Sequence, residues 1–252
     1  MSASSVVAIP ARLGSTRLER KVLTDIGGRS LLARTHDVAI SAQAGPVVVL
    51  TDSEEVADVV RDFGGEVLLT AVELDSGTAR VASVIDALDA DVVVNLQGDA
   101  PLTDPAIVAR SAEQAAATGA AVTMAVYALE HAADLHDPSV VKVVRAHDGR
   151  VLYCSRSAIP HVRDAPTDLW TQRAACLGHS GIYAYGRAFL ESFAELPPSP
   201  LEDAERLEQL RWLQAGLHVH SFLVEPQGPS VDTPQQLERV RAAFAEREGL
   251  PA

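Results

Sequence analysis

The sequence predicts an α/β protein with a mainly parallel β-sheet flanked by helices and a small strand-rich lobe. Over the first half of the chain, short β-branched runs alternate with amphipathic stretches, which is typical of βαβ units. After about residue 127 this alternation stops, and Val140–Val144 and Val151–Cys154 flank a Gly-containing turn as in a β-hairpin. We therefore expect an α/β core from residues 1–127 and 186–252, interrupted by a lobe from residues 128–185.

Each element is placed by its hydrophobic period and by its flanking residues. The predicted strands are Val6–Ile9, Val47–Leu50, Val67–Leu69, Val92–Leu96, Ala121–Val126, Gly181–Tyr185 and Val219–Val224. The predicted helices are Leu31–Ala42, Ser53–Phe63, Thr78–Leu88, Pro105–Ala117, Leu201–Leu213 and Pro234–Phe244. Asp52 and Asp104 are the predicted caps of the second and fourth helices, because Glu55 follows the first at capping-box spacing and Pro105 follows the second directly.

Charge and composition exclude several classes of function. The net charge of −13 argues against a nucleic-acid or membrane-surface partner, because either polyanion would be repelled over most of the surface. No apolar stretch approaches the roughly 18 residues of a membrane span, and Val6–Ile9 is too short for the core of a signal peptide. Cys154 and Cys176 lack CxxC spacing and fit a reducing compartment. We expect a cytoplasmic protein.

The first strand is followed by an arginine-rich stretch, residues 12–34, with six cations and two anions. Gly14 and Ser15 would let backbone N–H groups approach phosphate oxygens. The cations placed to neutralise those oxygens are Arg12, Arg17 and Lys21. This pattern predicts a phosphate-binding loop, although it matches neither the Walker A motif nor GxGxxG. A solvated basic loop that joins a strand to a helix is the alternative.

Two aspartates are candidates for a metal site. Asp99 follows the strand Val92–Leu96, at the carboxyl edge where open α/β sheets bind their ligands. Asp232 lies two residues before Pro234, at the start of the last helix. Together they could share one Mg²⁺, a cation that keeps few protein ligands when it binds nucleotides. The alternatives are a turn aspartate for Asp99 and a helix cap for Asp232.

Further polar groups could line the same site. Ser76, Gly77 and Thr78 precede a predicted helix that carries Arg80 in its first turn, so they could hold a phosphate or a base edge, or could simply cap the helix. The polar residues on otherwise half-buried elements are His179, Tyr183, Glu208, Gln209 and Arg211. For the three helix residues among them, a solvated face is the favoured alternative. The histidines show no metal-ligand spacing, and no local signature marks a covalent nucleophile.

Nine segments occur in a characteristic order: IPARLGSTRLERKVL, TDSEEV, DSGTAR, VVVNLQGDAPL, DPSVVKVV, YCSRSAIP, HSGIYAY, SPLEDAERLEQLRWL and VDTPQQLERV. Together they resemble the 3-deoxy-manno-octulosonate cytidylyltransferases, or CMP-Kdo synthetases, over nearly the whole chain. The resemblance implies a Rossmann-like, GT-A-like nucleotidyltransferase that forms a homodimer through the small lobe. It also implies transfer of CMP from CTP to an acidic sugar, with Mg²⁺ as cofactor and pyrophosphate as the leaving group.

The resemblance also implies roles for individual residues. Those expected around CTP are Pro10, Ala11, Arg12, Gly14, Ser15, Arg17, Lys21, Ser76, Gly77, Thr78, Arg80 and Gln97. Those expected to face the acceptor acid are Gln97, Arg163, His179, Tyr183, Glu208 and Gln209. Asp99 and Asp232 would bind Mg²⁺, and Arg17 and Lys21 would stabilise the leaving pyrophosphate in a direct in-line transfer.

Three positions depart from the family pattern. The family usually has a glutamate at Ala100, a histidine at Leu74 and an acid at Ala79. Losing two carboxylates and an imidazole would make the pocket more favourable to anionic charge. The acceptor could therefore be another acid, such as the small phosphonate phosphonoformate. A nucleotide-binding paralogue without catalytic activity is the alternative from another class.

Overall fold

The protein is described by a computed structural model over residues 3–14 and 18–248. The strands are β1 Ser5–Pro10, β2 Val47–Thr51, β3 Glu66–Leu69, β4 Val92–Asn95, β5 Val122–Ala128, β6 Lys142–Arg145, β7 Val151–Ser155, β8 Leu177–Gly186 and β9 Val219–Val224. The helices are α1 Leu31–Ser41, α2 Glu54–Asp62, α3 Gly77–Ala82, α4 Pro105–Thr118, α5 Ala132–His136, α6 Trp170–Arg173, α7 Arg187–Ser192, α8 Pro200–Glu205, α9 Glu208–Gln214 and α10 Pro234–Glu248. Within this described part, no helix is both long and apolar enough to cross a bilayer.

The strands form one mixed, mainly parallel sheet, as the sequence predicts. Its order is β3-β2-β1-β4-β8-β5-β9. The neighbours β1, β2, β3 and β4 are parallel, and β5 is parallel to β9, whereas β8 runs antiparallel to both β4 and β5. The carboxyl ends of β1 and β4 therefore lie side by side at one edge of the sheet.

Helices cover both faces of the sheet because both faces are apolar. Along β1, Val6 and Ala8 belong to the core on one face, and Val7 and Ile9 belong to the core on the other. The first core is completed by residues from α3, α7 and α9, and the second by residues from α1, α2 and α4. This alternation is what a strand buried on both sides requires.

The hairpin predicted in residues 128–185 is present as the antiparallel pair β6 and β7. It joins the main sheet because β6 also pairs with the first residues of β8. The same segment holds a small core of its own, built from Leu129, Leu135, Trp170 and Cys176. Because β8 runs from this segment into the main sheet, the division into core and lobe stays a prediction.

Two predicted helices are wrong in extent. The helix predicted over Thr78–Leu88 ends at Ala82 and is followed by a single 3-10 turn, Ile85–Ala87. The helix predicted over Leu201–Leu213 is two short helices, α8 and α9, because Arg206 adopts a left-handed conformation with φ of 53° between them. Hydrophobic periodicity continues across such a break, so the pattern alone does not reveal it.

Candidate active site

A cavity of about 250 Å³ opens at the carboxyl ends of β1 and β4. The predicted site residues that line it are Pro10, Arg12, Gly14, Lys21, Ser76, Gly77, Arg80, Gln97, Asp99 and Asp232. Gly98 joins the two strand ends, since its N–H donates to the Pro10 carbonyl at 3.3 Å and a Cβ there would lie 3.0 Å from that oxygen. The sheet thus brings together segments that are far apart in the sequence.

Lys21 lies between the two aspartates predicted to bind metal. Its Nζ is 2.6 Å from Asp99 Oδ2 and 3.0 Å from Asp232 Oδ1. Burial by itself would lower the pKa of Lys21, but the two carboxylates outweigh it and hold the pKa above its usual value. Burial raises the pKa of Asp99, and the Lys21 ammonium opposes that rise. Because both carboxylates contact the same nitrogen of Lys21, they point towards one place in the cavity.

The backbone explains why Asp232 reaches this point. The Val231 N–H donates to the Asp99 carbonyl at 2.9 Å, which fastens the segment before α10 to the loop after β4. Thr233, rather than Asp232, caps α10, because its Oγ1 accepts the N–H of Gln236 at 3.2 Å. The carboxylate of Asp232 accepts a hydrogen bond from Lys21 Nζ at 3.0 Å, and Thr233 takes the cap position of α10.

The two carboxylates match the donor set that Mg²⁺ takes in nucleotide sites. Among the residues that the structure describes, no group of three or more His, Cys, Asp or Glu side chains could form a metal cage. A Mg²⁺ ion bound with nucleotides uses one or two carboxylates and completes its shell with phosphate oxygens and water. Asp99 and Asp232 fit that arrangement by their chemistry and their common direction.

Three cations of the stretch from residue 12 to residue 34 form ion pairs and do not line the first cavity. Arg20 pairs with Glu55, and Arg29 NH1 lies 2.8 Å from Asp37. Arg34 is buried and pairs with Glu248 in α10. Of the described cations in the stretch, Arg12 and Lys21 line the cavity. Among the described residues, the local excess of positive charge therefore reaches the site through Arg12 and Lys21.

Arg80 is a buried residue whose side chain connects several segments of the cavity wall by hydrogen bonds. Its NH2 donates to Asp52 at 3.0 Å and to the Leu74 carbonyl at 3.3 Å, and its NH1 donates to Thr70 and to the Ala71 carbonyl. The sequence-based assignment of Asp52 as the cap of α2 is wrong, because Ser53 accepts the capping hydrogen bond instead. Ser76 caps α3 in the same way. A contact between Arg80 and a nucleotide stays a prediction.

Four residues predicted to face the acceptor form a cluster on β8 and α9. The rings of His179 and Tyr183 lie 4.5 Å apart between centroids. Gln209 donates to the Tyr183 hydroxyl. The neighbouring Glu208 accepts a hydrogen bond from Thr78 at 2.8 Å and lines a second cavity, of about 440 Å³, together with Asp75 and Ser76. Asp75 and Ser76 also line the first cavity, so the two cavities share a wall.

Burial sets the protonation of this cluster. It lowers the pKa of His179 to about 4, so the ring is neutral at physiological pH, and its Nε2 is buried without a partner among the described residues. Burial also raises the pKa of Glu208, although hydrogen bonds from Ser76 and Thr78 oppose the change. The phenol of Tyr183 stays protonated because burial raises its pKa well above the usual value.

Arg163 and Ala11 line neither of these two cavities. The side chain of Arg163 is 89 % exposed, pairs with Asp164, and lines neither of these two cavities. Ala11 is buried in the core beneath the cavity. Ser15 and Arg17 lie outside the described residues, so their expected contacts with CTP stay predictions.

Two residues without a predicted role lie within the site's polar core. The Tyr185 hydroxyl lies 2.8 Å from Thr78 Oγ1 and accepts a hydrogen bond from Asn95 at 3.1 Å. The ring of Tyr185 stacks on that of Tyr183 at 5.8 Å. The sequence contains a signal for Tyr185, because two tyrosines at a spacing of two in a strand share one face of the sheet.

Comparison with known proteins assigns the class. The family model "Cytidylyltransferase" matches residues 6–220. A solved structure from Bacillus anthracis, assigned as a glucose-1-phosphate thymidylyltransferase in complex with sucrose, aligns with a TM-score of 0.64 and 15 % identity over 95 % of each chain, which shows the fold alone. The fold and the family match together define a nucleotidyltransferase.

The more similar relatives narrow this assignment. The 3-deoxy-manno-octulosonate cytidylyltransferase of Haemophilus influenzae is 40 % identical over 96 % of this chain and 99 % of its own, and that of Vibrio vulnificus is 41 % identical over 96 % and 98 %. A solved CMP:2-keto-3-deoxy-manno-octonic acid synthetase complexed with CTP aligns with a TM-score of 0.91 and 38 % identity, over 97 % of this chain and all of that one. The chain belongs to the 3-deoxy-manno-octulosonate cytidylyltransferase family.

Proposed function

We propose that this protein transfers CMP from CTP to 3-deoxy-manno-octulosonate and releases pyrophosphate. The observation that carries the proposal is the convergence of Lys21, Asp99 and Asp232 in one cavity at the carboxyl ends of β1 and β4. A cation and two acids aimed at one point suit a substrate that brings both phosphates and a metal ion. The family relatives named above supply the identity of the nucleotide and of the acid.

Asp99 and Asp232 would hold Mg²⁺ in this reaction. The ion, when bound, would supply positive charge for the phosphate oxygens and would make the acceptor hydroxyl easier to deprotonate. Lys21, which lies between these two aspartates, and Arg12 would neutralise the phosphate oxygens. The acceptor oxygen would attack the α-phosphorus in line while the bond to pyrophosphate breaks, and the hydroxyl proton would pass to solvent.

The cluster on β8 and α9 would bind the acceptor. His179, Tyr183 and Gln209 offer a neutral imidazole, a phenol and an amide, which suit the hydroxyl groups of a sugar acid. Arg163, exposed on its loop, is the proposed partner of the acceptor carboxylate. For that role the loop would have to approach the cluster.

Pyrophosphate release from CTP, Mg²⁺ and 3-deoxy-manno-octulosonate tests the proposal. We expect turnover by the native protein and a loss of at least about 100-fold in Asp99→Ala, because the metal site would lose one of two protein ligands. The matched control is Asp148→Ala, which removes an aspartate from the exposed turn between β6 and β7. Full activity in Asp99→Ala would overturn the assignment of the metal site.

The same assay decides between acceptors. Phosphonoformate belongs in the panel because Leu74 and Ala79, neither of which is charged, form part of the cavity walls. Turnover with phosphonoformate in place of the sugar acid would move the protein to another acceptor. Binding of CTP without turnover on any acid would identify a non-catalytic paralogue.

We also propose that the protein is a cytoplasmic homodimer joined through residues 128–185. In that segment, Leu152 of β7 is 46 % exposed, an apolar side chain on a strand at the margin of the sheet. A strand margin with exposed leucine favours association with another chain. Light scattering on the purified protein measures the oligomeric state, and a monomer at micromolar concentration would contradict the proposal.

A further inference from the structure

A continuous chain of hydrogen bonds starts at Gln97, in the wall of the first cavity. Gln97 Nε2 donates to Asn95 Oδ1 at 2.9 Å, and Asn95 Nδ2 donates to the Tyr185 hydroxyl at 3.1 Å. Asn95 and Tyr185 are fully buried. The chain therefore leads from the cavity into the interior of the protein, away from bulk water.

The chain ends on a carboxylate. The Tyr185 hydroxyl lies 2.8 Å from Thr78 Oγ1, and Thr78 Oγ1 donates to Glu208 Oε2 at 2.8 Å. Thr78 is also fully buried. Four hydrogen bonds thus connect an amide on the loop after β4 with a glutamate at the start of α9.

An ionised carboxylate fixes the direction of every bond in this chain. A hydroxyl has one hydrogen, and that of Thr78 is used towards Glu208, so Tyr185 must donate to Thr78. The Tyr185 oxygen then accepts from the amide of Asn95, which leaves Asn95 Oδ1 to accept from Gln97. The opposite direction would require a proton on Glu208.

The direction of these hydrogen bonds determines how the amide of Gln97 is oriented. One of its two N–H hydrogens is used towards Asn95 Oδ1, which fixes on which side of the amide the oxygen lies. Gly77 leaves room for the amide in this position, because a Cβ there would lie 3.0 Å from Nε2 and 3.3 Å from Oε1. An amide that could turn over would present either its oxygen or its NH₂ group at a given place in the cavity wall, whereas this one keeps its oxygen in one place.

We propose that Asn95 and Tyr185 are positioning residues that lock the place of the Gln97 oxygen in the cavity wall, so that a ligand group seated against that oxygen must donate a hydrogen bond. A hydroxyl group of the acceptor and the amino group of cytosine both meet this requirement. The inference rests on the proposed function, because it takes this cavity as the place where the substrates bind.

Tyr185→Phe tests the lock while keeping the aromatic packing. We expect kcat/KM to fall about tenfold for the substrate that meets Gln97, the size of one lost hydrogen-bond preference. A rise in KM for the acid identifies the acceptor hydroxyl, and a reduced preference for CTP over UTP identifies the cytosine amino group. The matched control is Tyr153→Phe, whose hydroxyl also bonds a glutamate, Glu205, outside this chain. Equal kinetics in the two variants would overturn the proposal.

A double-mutant cycle in urea unfolding tests the lock without activity. Gln97→Glu places a carboxylate against Asn95 Oδ1. In the native background, the hydrogen bond to Tyr185 prevents the Asn95 amide from turning over. In the Tyr185→Phe background the Asn95 amide is free to turn and donate to the new carboxylate. The increase in the unfolding equilibrium constant caused by Gln97→Glu should therefore be about tenfold smaller in the Tyr185→Phe background than in the native background.

The two measurements separate the lock from the proposed function. Additive effects in the unfolding cycle would overturn the lock, whether or not the protein turns over CTP. A native protein that releases no pyrophosphate with any acid would overturn the proposed function, and the unfolding cycle would still decide on the lock. Coupling in unfolding together with a selective kinetic loss in Tyr185→Phe supports both.

Discussion

The carboxylate of Asp52 lies 3.0 Å from the guanidinium of Arg80, and the two side chains are 13 % and 3 % exposed. Asp52 follows β2 and Arg80 lies in α3, so this pair fastens the second strand to the wall of the cavity. Arg80 also donates to the carbonyls of Ala71 and Leu74. One buried arginine therefore holds both the start of α3 and the loop that precedes it.

Loss of Asp52 should destabilise the protein strongly. Asp52→Ala leaves the guanidinium of Arg80 buried without its counter-ion, and we expect the free energy of unfolding to fall by about 3 kcal/mol. Urea unfolding measures the change. The control is Asp58→Ala, because Asp58 pairs with Arg61 on the exposed face of α2 and its loss should cost no more than about 0.5 kcal/mol. Equal losses in both variants would contradict the structural role of the buried pair.

The two lysines of the chain should respond differently to replacement by methionine. Lys21→Met removes the charge between Asp99 and Asp232, and we expect kcat/KM to fall by about 100-fold. Lys142 is buried in β6 and donates to the carbonyls of Asp137 and Val140 at 2.7 and 2.6 Å. Steady-state kinetics and urea unfolding on both variants measure the contrast.

Lys142→Met serves as the control for Lys21→Met. Lys142→Met leaves two carbonyls without their donor, so the free energy of unfolding should fall by about 2 kcal/mol. Its kcat/KM should change less than about threefold, because Lys142 lines neither cavity. A large kinetic loss in Lys142→Met with little loss of stability would show that the roles of the two lysines had been reversed.

His179 should make stability depend on pH. Because burial lowers its pKa to about 4 in the folded protein, against about 6.5 in an unfolded chain, unfolding takes up a proton between these values. The contribution of neutral His179 is complete above about pH 6.5 and is lost as the pH falls towards 4. Between about pH 7 and about pH 5, this residue should lower the free energy of unfolding by about 2 kcal/mol.

His179→Gln tests the assignment, because it should remove that part of the pH dependence. Urea unfolding at several pH values gives the slope for the native protein and for the variant. His147→Gln is the control, since it makes the same replacement at an exposed histidine in the turn between β6 and β7. An identical slope in His179→Gln and in the native protein would show that His179 is protonated as easily when folded as when unfolded.

Most of the fold could be predicted from the sequence because its elements have clear local signals. The strands β1, β2 and β4 are short β-branched runs, and α4 begins at Asp104 and Pro105 with the expected cap. The break at Arg206 could not be predicted, because the left-handed conformation of a non-glycine residue is imposed by its surroundings. Asp52 was misassigned for a related reason, since its partner Arg80 is 28 residues away in the chain.

By itself, the sequence determined the class of fold, the family and the chemical kinds of side chain at the cavity. These follow from hydrophobic periodicity and from the order of the motifs, which are local properties of the chain. The tertiary structure decided how those side chains are used: Lys21 lies between Asp99 and Asp232, and the amide of Gln97 is oriented by Asn95. Ion pairing and hydrogen-bond direction depend on distances between distant segments, and only the folded sheet sets those distances.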